Sequence, residues 1–164
     1  MRQWVLFIFL YPSFSICQTV EQKYGDRIEL LGVAFKDPLV LCQILIAVFF
    51  IAVFLQSSLD KILERNSNLV FFQSHFSETI LRHFTSYLLN IITLFELIGS
   101  LALVYGVYYA FVAKTTVWIF YGFVILAITI IFLLIGQRIA KDYTSAAQLV
   151  PYFILIMLGI MSMY

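Results

Sequence analysis

Apolar residues do not alternate with polar ones along most of this chain. They gather into four long blocks separated by short polar stretches. The blocks Leu39–Leu59, Phe84–Val112, Val117–Ile135 and Ala146–Tyr164 each approach or exceed the ~20 residues a helix needs to cross the hydrocarbon of a bilayer. Helices are therefore expected near 39–62, 80–112, 117–138 and 146–163. Their ends carry matching signals. Pro38 suits a first helical turn. Ser77 suits an N-cap of the second helix, with Glu78 in its first turn. Lys114-Thr115-Thr116 makes a tight turn flanked by Tyr108, Tyr109 and Trp118, an interfacial aromatic belt. Arg138 and Lys141 sit at the negative end of the third helix. Pro151 falls inside the fourth, where a kink can be absorbed by a bundle. The fold class is all-α, a membrane-embedded four-transmembrane-helix bundle over residues 39–164.

Two segments precede it. Residues 1–17 combine Arg2, the apolar core Trp4–Leu10 and the breaker Tyr11-Pro12-Ser13, the layout of a signal peptide, with Gln18 expected as the mature start. An uncleaved anchor is the alternative reading. Residues 18–38 mix Glu21, Lys23, Asp26, Arg27, Glu29, Lys36 and Asp37 and read as a charged, solvated arm. Between the first two helices, Phe71, Phe72 and Phe76 suggest a short segment lying at the headgroups. Lys61 and Glu64, three apart, are placed to pair.

The polar positions inside the blocks carry the candidate chemistry. Glu96 is the one charged residue between Phe84 and Val112. A carboxylate at that depth costs roughly 2.5–3.5 kcal/mol on insertion scales. At ~100° per residue, Ser86, Asn90, Thr93, Glu96 and Ser100 share an arc of roughly 120°. Lipid cannot satisfy such a stripe, so it is expected to face other helices or a wet cavity. Gln56, Ser57 or a water is the first partner expected for Glu96. A direct pair with Lys61 or Arg138 requires those side chains to reach inward. Gly122, Thr129 and Gly136 form a second stripe, of small residues, that lets a neighbouring helix approach.

Composition narrows the function classes. The chain of 164 residues is 63% hydrophobic and 12% charged, about half the charge of an average soluble domain, and its net charge of +1 excludes a nucleic-acid partner. Cys17 and Cys42 form no C-x-x-C pair, which removes membrane dithiol chemistry and a thiolate metal site. His75 and His83 have no further ligand placed near them, so no metal site is expected. The polar loops at 60–83 and 136–145 hold five Lys/Arg against four in the arm and the Lys114 turn. That bias, with an exported N-terminus, places both termini outside the cytoplasm.

Three stretches together resemble the DoxX family of small four-helix membrane proteins, in its Bacteroidetes-type versions: Gln56–Lys61 (QSSLDK), Glu96-Leu97-Ile98-Gly99, and Gly136–Ala147 (GQRIAKDYTSAA) followed by Val150-Pro151-Tyr152. Ser100 departs from the pattern, standing where many members have a second glycine. The resemblance implies a bacterial inner-membrane protein associated with other membrane or redox subunits in a quinone-linked system. No cofactor fingerprint is present, so a redox role would need a quinone or a partner's cofactor. On this reading Glu96, Asn90, Thr93, Ser100 and Gln56 line a ligand or proton site, with Lys61 or Arg138 at its mouth. The competing reading is a non-enzymatic scaffold or assembly subunit, in which the stripe serves helix packing alone. A small transporter is disfavoured by four spans, the lack of an inverted repeat and a single buried charge.

Overall fold

The computed structural model describes residues 28–30, 33–35, 38–77 and 79–163. The expected signal peptide and most of the charged arm lie outside the described residues, as does Glu78. Within the arm, β1 (Ile28–Leu30) and β2 (Val33–Phe35) pair antiparallel, with Glu29 opposite Ala34. Residues 42–164 form a separate unit.

That unit is an all-α bundle. Its helices are α1 (Pro38–Leu63), α2 (Arg65–His75), α3 (Thr85–Ala113), α4 (Val117–Ile139) and α5 (Tyr143–Met161). All but α2 are long and apolar enough to cross a membrane. At 1.5 Å per residue they measure about 28–44 Å, against a hydrocarbon thickness of about 30 Å. Their outward surfaces are apolar as well: Leu45, Ile98, Phe132 and Leu158 are each about half exposed. Water would not tolerate so continuous an apolar surface, and lipid does. The protein is a multi-pass membrane protein in a bilayer.

The second span begins later than expected. Ile80–His83 is a single 3-10 turn, and α3 starts only at Thr85, after Phe84. Ser77 is not its cap, because the Ser77 amide closes a turn on the Ser74 carbonyl at 3.2 Å. The following helix ends at Ile139 as expected, with Arg138 in its last turn, and the chain turns just beyond it. Lys141 takes a left-handed conformation (φ 61°), and the Asp142 amide reaches back to the Gln137 carbonyl at 3.0 Å. This is the pattern that satisfies orphan carbonyls at a helix end. Lys114 (φ 54°) plays the same left-handed part at the end of α3. The helix α5 runs through Pro151 without a break.

Two kinds of packing hold the bundle. Helices α3 and α4 lie backbone against backbone. A Cβ at Gly99 would fall 2.6 Å from Leu126 Cδ2, one at Gly122 2.5 Å from Leu103 Cδ2, and one at Gly106 2.7 Å from the backbone nitrogen of Ile119. The pairs 99/126, 103/122 and 106/119 define one antiparallel register. Helix α1 joins the others through large side chains instead. Phe50 is fully buried, its ring 6.2 Å from Phe123 and 6.5 Å from Tyr152. At the far end, Gln43 Nε2 donates to the Ser162 carbonyl at 2.8 Å, tying the start of α1 to the end of α5.

The expected small-residue seam holds at Gly122 and at Thr129, which is fully buried, but not at Gly136. There the nearest atom to an added Cβ is Phe76 Cζ, 3.9 Å away. Gly106→Ala should therefore lower stability in detergent by about 1–3 kcal/mol, the usual penalty of overpacking. Gly136→Ala should cost nothing. Thermal unfolding of the two variants side by side tests the register, and a Gly106→Ala protein as stable as the wild type would break it.

Candidate functional site

The face of α1 that turns inward is set by helical spacing. Phe50, Phe54 and Ser58 are buried, and Ser57 and Lys61 follow on the same side at intervals of three and four. This brings the end of α1 against the middle of α3, where Glu96 is 1% exposed. The Lys61 ammonium donates to Glu96 Oε2 at 2.8 Å and to Oε1 at 3.0 Å. It also donates to Ser57 Oγ at 2.5 Å, and Ser57 Oγ donates in turn to Glu96 Oε2 at 3.4 Å. The three side chains form a closed ring of charge-assisted contacts. The Lys61 side chain keeps 13% of its surface accessible.

The direct ion pair thus forms, and Ser57 is the neutral partner. Gln56 is not: it is rotated ~100° from Ser57 and lies on the exposed side of α1. Arg138 is also outside the site. Its guanidinium stands 5.0 Å over the Tyr143 ring, at the surface. Lys61 does not pair with Glu64, because its side chain turns toward the bundle interior.

The polar stripe of α3 divides. Ser100 and Glu96 are buried, and Thr93 is half-buried. Ser100 and Thr93 spend their hydroxyls on carbonyls of their own helix, Leu97 at 3.0 Å and Leu89 at 2.7 Å. Such bonds cost no partner and leave the hydroxyl oxygens free to accept. Asn90 is exposed and leaves the stripe altogether, its Oδ1 accepting from Arg65 at 2.6 Å. The α3–α4 register sets Thr129 opposite Glu96, and its hydroxyl donates to the Ile125 carbonyl at 2.9 Å.

Beside the ion pair lies a cavity of about 300 Å³. Lys61 forms part of its wall. Phe72 and Phe76 close it from the α2 side, and the rest is largely leucine, isoleucine and phenylalanine from α3 and α4. Four of those lining residues, Ile91, Phe132, Ile135 and Ile139, are also exposed on the outside of the bundle, so the cavity borders lipid rather than water. Gln137 and Thr85 are the other polar residues of its wall. Gln137 also reaches the end of α2. Its Oε1 lies 3.3 Å from His75 Nε2, which is also 3.7 Å from Asp142 Oδ2.

Gln137 did not stand out in the sequence, and Phe72 and Phe76 did so as an interfacial patch, not as a wall. Gln137 falls in a polar stretch next to Arg138, and nothing in a one-dimensional pattern says which of the two faces inward. The spacing Phe50–Phe54–Ser57–Lys61 does carry a signal, since it continues an apolar helix face into a serine and a lysine. Among the described residues, no three His, Cys, Asp or Glu side chains converge as metal ligands would. Comparison with protein families, curated proteins and solved structures finds no match to the chain.

Removing one member of a buried pair leaves the other charge uncompensated, typically at 3–5 kcal/mol, whereas replacing both by apolar residues is often neutral. Lys61→Met should therefore destabilise the bundle strongly, and adding Glu96→Leu should restore most of the loss. A double-mutant cycle by unfolding in detergent measures this, and simple additivity would show that the two side chains do not depend on each other.

Asp142 supplies a separate test outside the spans. It caps α5, accepting from the Ser145 hydroxyl at 2.6 Å and from the Ser145 amide at 3.0 Å. Those bonds hold its carboxyl below the usual range. Its contribution is therefore complete above the ordinary aspartate value of ~3.9 and is lost as pH falls through the lowered native value. The protection factor of the Ser145 amide against hydrogen exchange should hold down to about pH 4 and fall only below it. In Ser145→Gly, protection at the start of α5 should fail at higher pH.

Proposed function

We propose that the chain is a DoxX-like inner-membrane protein of a bacterium and serves as a subunit or accessory of a quinone-linked redox system. The observation that carries the reading is the cavity whose wall includes the Lys61 ammonium, itself held by Glu96 and Ser57. A lipid-facing apolar chamber with one polar group at its inner end suits an apolar ring or tail carrying a carbonyl. Lys61, whose three N–H groups go to Glu96 Oε2, Glu96 Oε1 and Ser57 Oγ, would turn the one on Ser57 to that oxygen, and the Lys61–Glu96 pair would keep the donor in place and supply a proton when the oxygen is reduced. Two electrons and two protons convert a quinone to a quinol, the protons passing one after the other from Lys61, which is re-protonated through the part of its side chain that stays accessible. The electrons are assigned to a partner's cofactor, since no redox group is evident in the chain. On this reading both termini are periplasmic and the cavity lies near the cytoplasmic face, where the five Lys/Arg of the two loops sit.

One observation favours the alternative, a scaffold or assembly subunit. Both oxygens of Glu96 are already satisfied within the protein, and a satisfied ion pair between α1 and α3 is sufficient glue without any ligand. The two readings separate on purification in mild detergent. A quinone should co-purify with the wild type and be depleted in the Lys61→Met/Glu96→Leu double variant, which keeps most of the wild-type stability. Glu96→Gln should retain expression and the fold but impair turnover in a reconstituted quinone-reducing membrane. Purification without quinone, with a partner complex that assembles normally around Glu96→Gln, would overturn the redox reading in favour of the scaffold.

A further inference from the structure

We propose that Gln137 positions the occupant of the cavity, donating its side-chain amide N–H to a second carbonyl oxygen of an uncharged, lipid-soluble ligand, and that His75 and Asp142 hold it in that orientation. The inference rests on the reading that the cavity binds such a ligand. It starts from His75 Nε2, which faces two oxygens at once, Gln137 Oε1 at 3.3 Å and Asp142 Oδ2 at 3.7 Å. Only a protonated Nε2 suits both, because a bare ring nitrogen would confront a carboxylate lone pair. With N–H at Nε2, the Gln137 carbonyl oxygen is its acceptor, and the Gln137 amide nitrogen is turned away from His75. Gln137 lines the cavity, so its remaining donors are available to an occupant. Asp142 is in turn fixed by Ser145, and the His75 ring is stacked at 6.0 Å on Phe71. The orientation of Gln137 is thus over-determined from outside the cavity.

The two donors stand at different depths. Lys61 meets Glu96, whereas the α3–α4 register sets Gln137 against Leu88. Eight residues of helix separate those levels, about 12 Å along the axis before the side chains reach toward each other. A ring with oxygens on opposite sides can engage both donors, and a molecule with one polar end can engage one. Charge selects further. The Lys61 charge is balanced by Glu96 and the remaining lining residues are neutral. An anion would have to displace Glu96 to gain a partner, whereas a neutral dione needs only donors.

The test uses the full chain in nanodiscs and two probes, a short-chain alkyl 1,4-benzoquinone and the alkylbenzene of the same chain length. Gln137→Leu should weaken benzoquinone binding roughly three- to tenfold, as loss of one neutral hydrogen bond does, and leave the alkylbenzene unchanged. His75→Phe, which keeps the stack on Phe71, should weaken the benzoquinone less and add nothing to Gln137→Leu. Equal losses for both probes would mean that Gln137 only shapes the wall and would overturn the proposal. So would a benzoquinone affinity that Gln137→Leu leaves intact while the folded Lys61→Met/Glu96→Leu double variant loses it, and in that case the binding reading survives. If the wild type binds neither probe, the binding reading falls and this inference falls with it.

Discussion

An ammonium and a carboxylate meet inside an apolar bundle, the carboxylate fully buried and the ammonium nearly so. That constraint organises the bundle. Glu96 lies in mid-helix among leucine, isoleucine and phenylalanine, and its burial is tolerable only because Lys61 and Ser57 arrive from α1. The contact fixes both the rotation of α1 and its depth, since a shift of one residue would turn Lys61 by ~100° and send it to the surface. Hydrophobic packing in a membrane carries little of this specificity, because lipid is as apolar as the helices it surrounds. The polar contact discriminates between arrangements that apolar contacts would leave nearly equivalent.

The four spans were legible in the sequence because bilayer thickness imposes their length and composition directly. Glu96 was legible for a related reason: a single acid in a long apolar run has few explanations. Its partner was less so. Lys61 lies near the end of a helix, where a cation ordinarily reaches outward to the headgroups, and the inward course of its side chain depends on the rotation of α1. Gln56 against Ser57 and Gln137 against Arg138 are the same difficulty twice. Each pair is adjacent in sequence and about a quarter-turn apart in space, so a rotation that no local pattern specifies decides which member faces in. Asn90 was misassigned because the arc was wide: it and Glu96 stand at opposite edges of it, ~120° apart. Asn90 therefore turns to the exposed side, where Arg65 reaches it.

The segment between the first two spans changes character once its structure is known. As sequence it reads as an aromatic, interfacial connection. As structure it is the helix α2, whose exposed face carries Val70 and Phe71 and whose other side supplies Phe72 and Phe76 to the cavity. It is therefore both a surface element and a wall. Its attachment to the turn between α4 and α5 passes through His75 alone among the described polar contacts, so the chamber's outer boundary is held by less than its inner one.

The two modes of packing place unequal limits on how this sequence can drift. Where α3 and α4 touch through backbone, the tolerance at position 106 is a single residue type, because the obstructing atom is a main-chain nitrogen that no neighbour's mutation can trim. Positions 99 and 122 are limited first by the Leu126 and Leu103 side chains and can change only if these shrink in step, with Ile125 Cγ2 (3.2 Å) and the Leu103 main-chain nitrogen (3.1 Å) giving way by a few tenths of an ångström. Across the α1 boundary, volume can be traded freely between Phe50, Phe123 and Tyr152 so long as the sum is kept. An alignment of true relatives should thus show an invariant glycine, two glycines coupled to their partners, and an aromatic cluster that varies in composition while preserving its bulk.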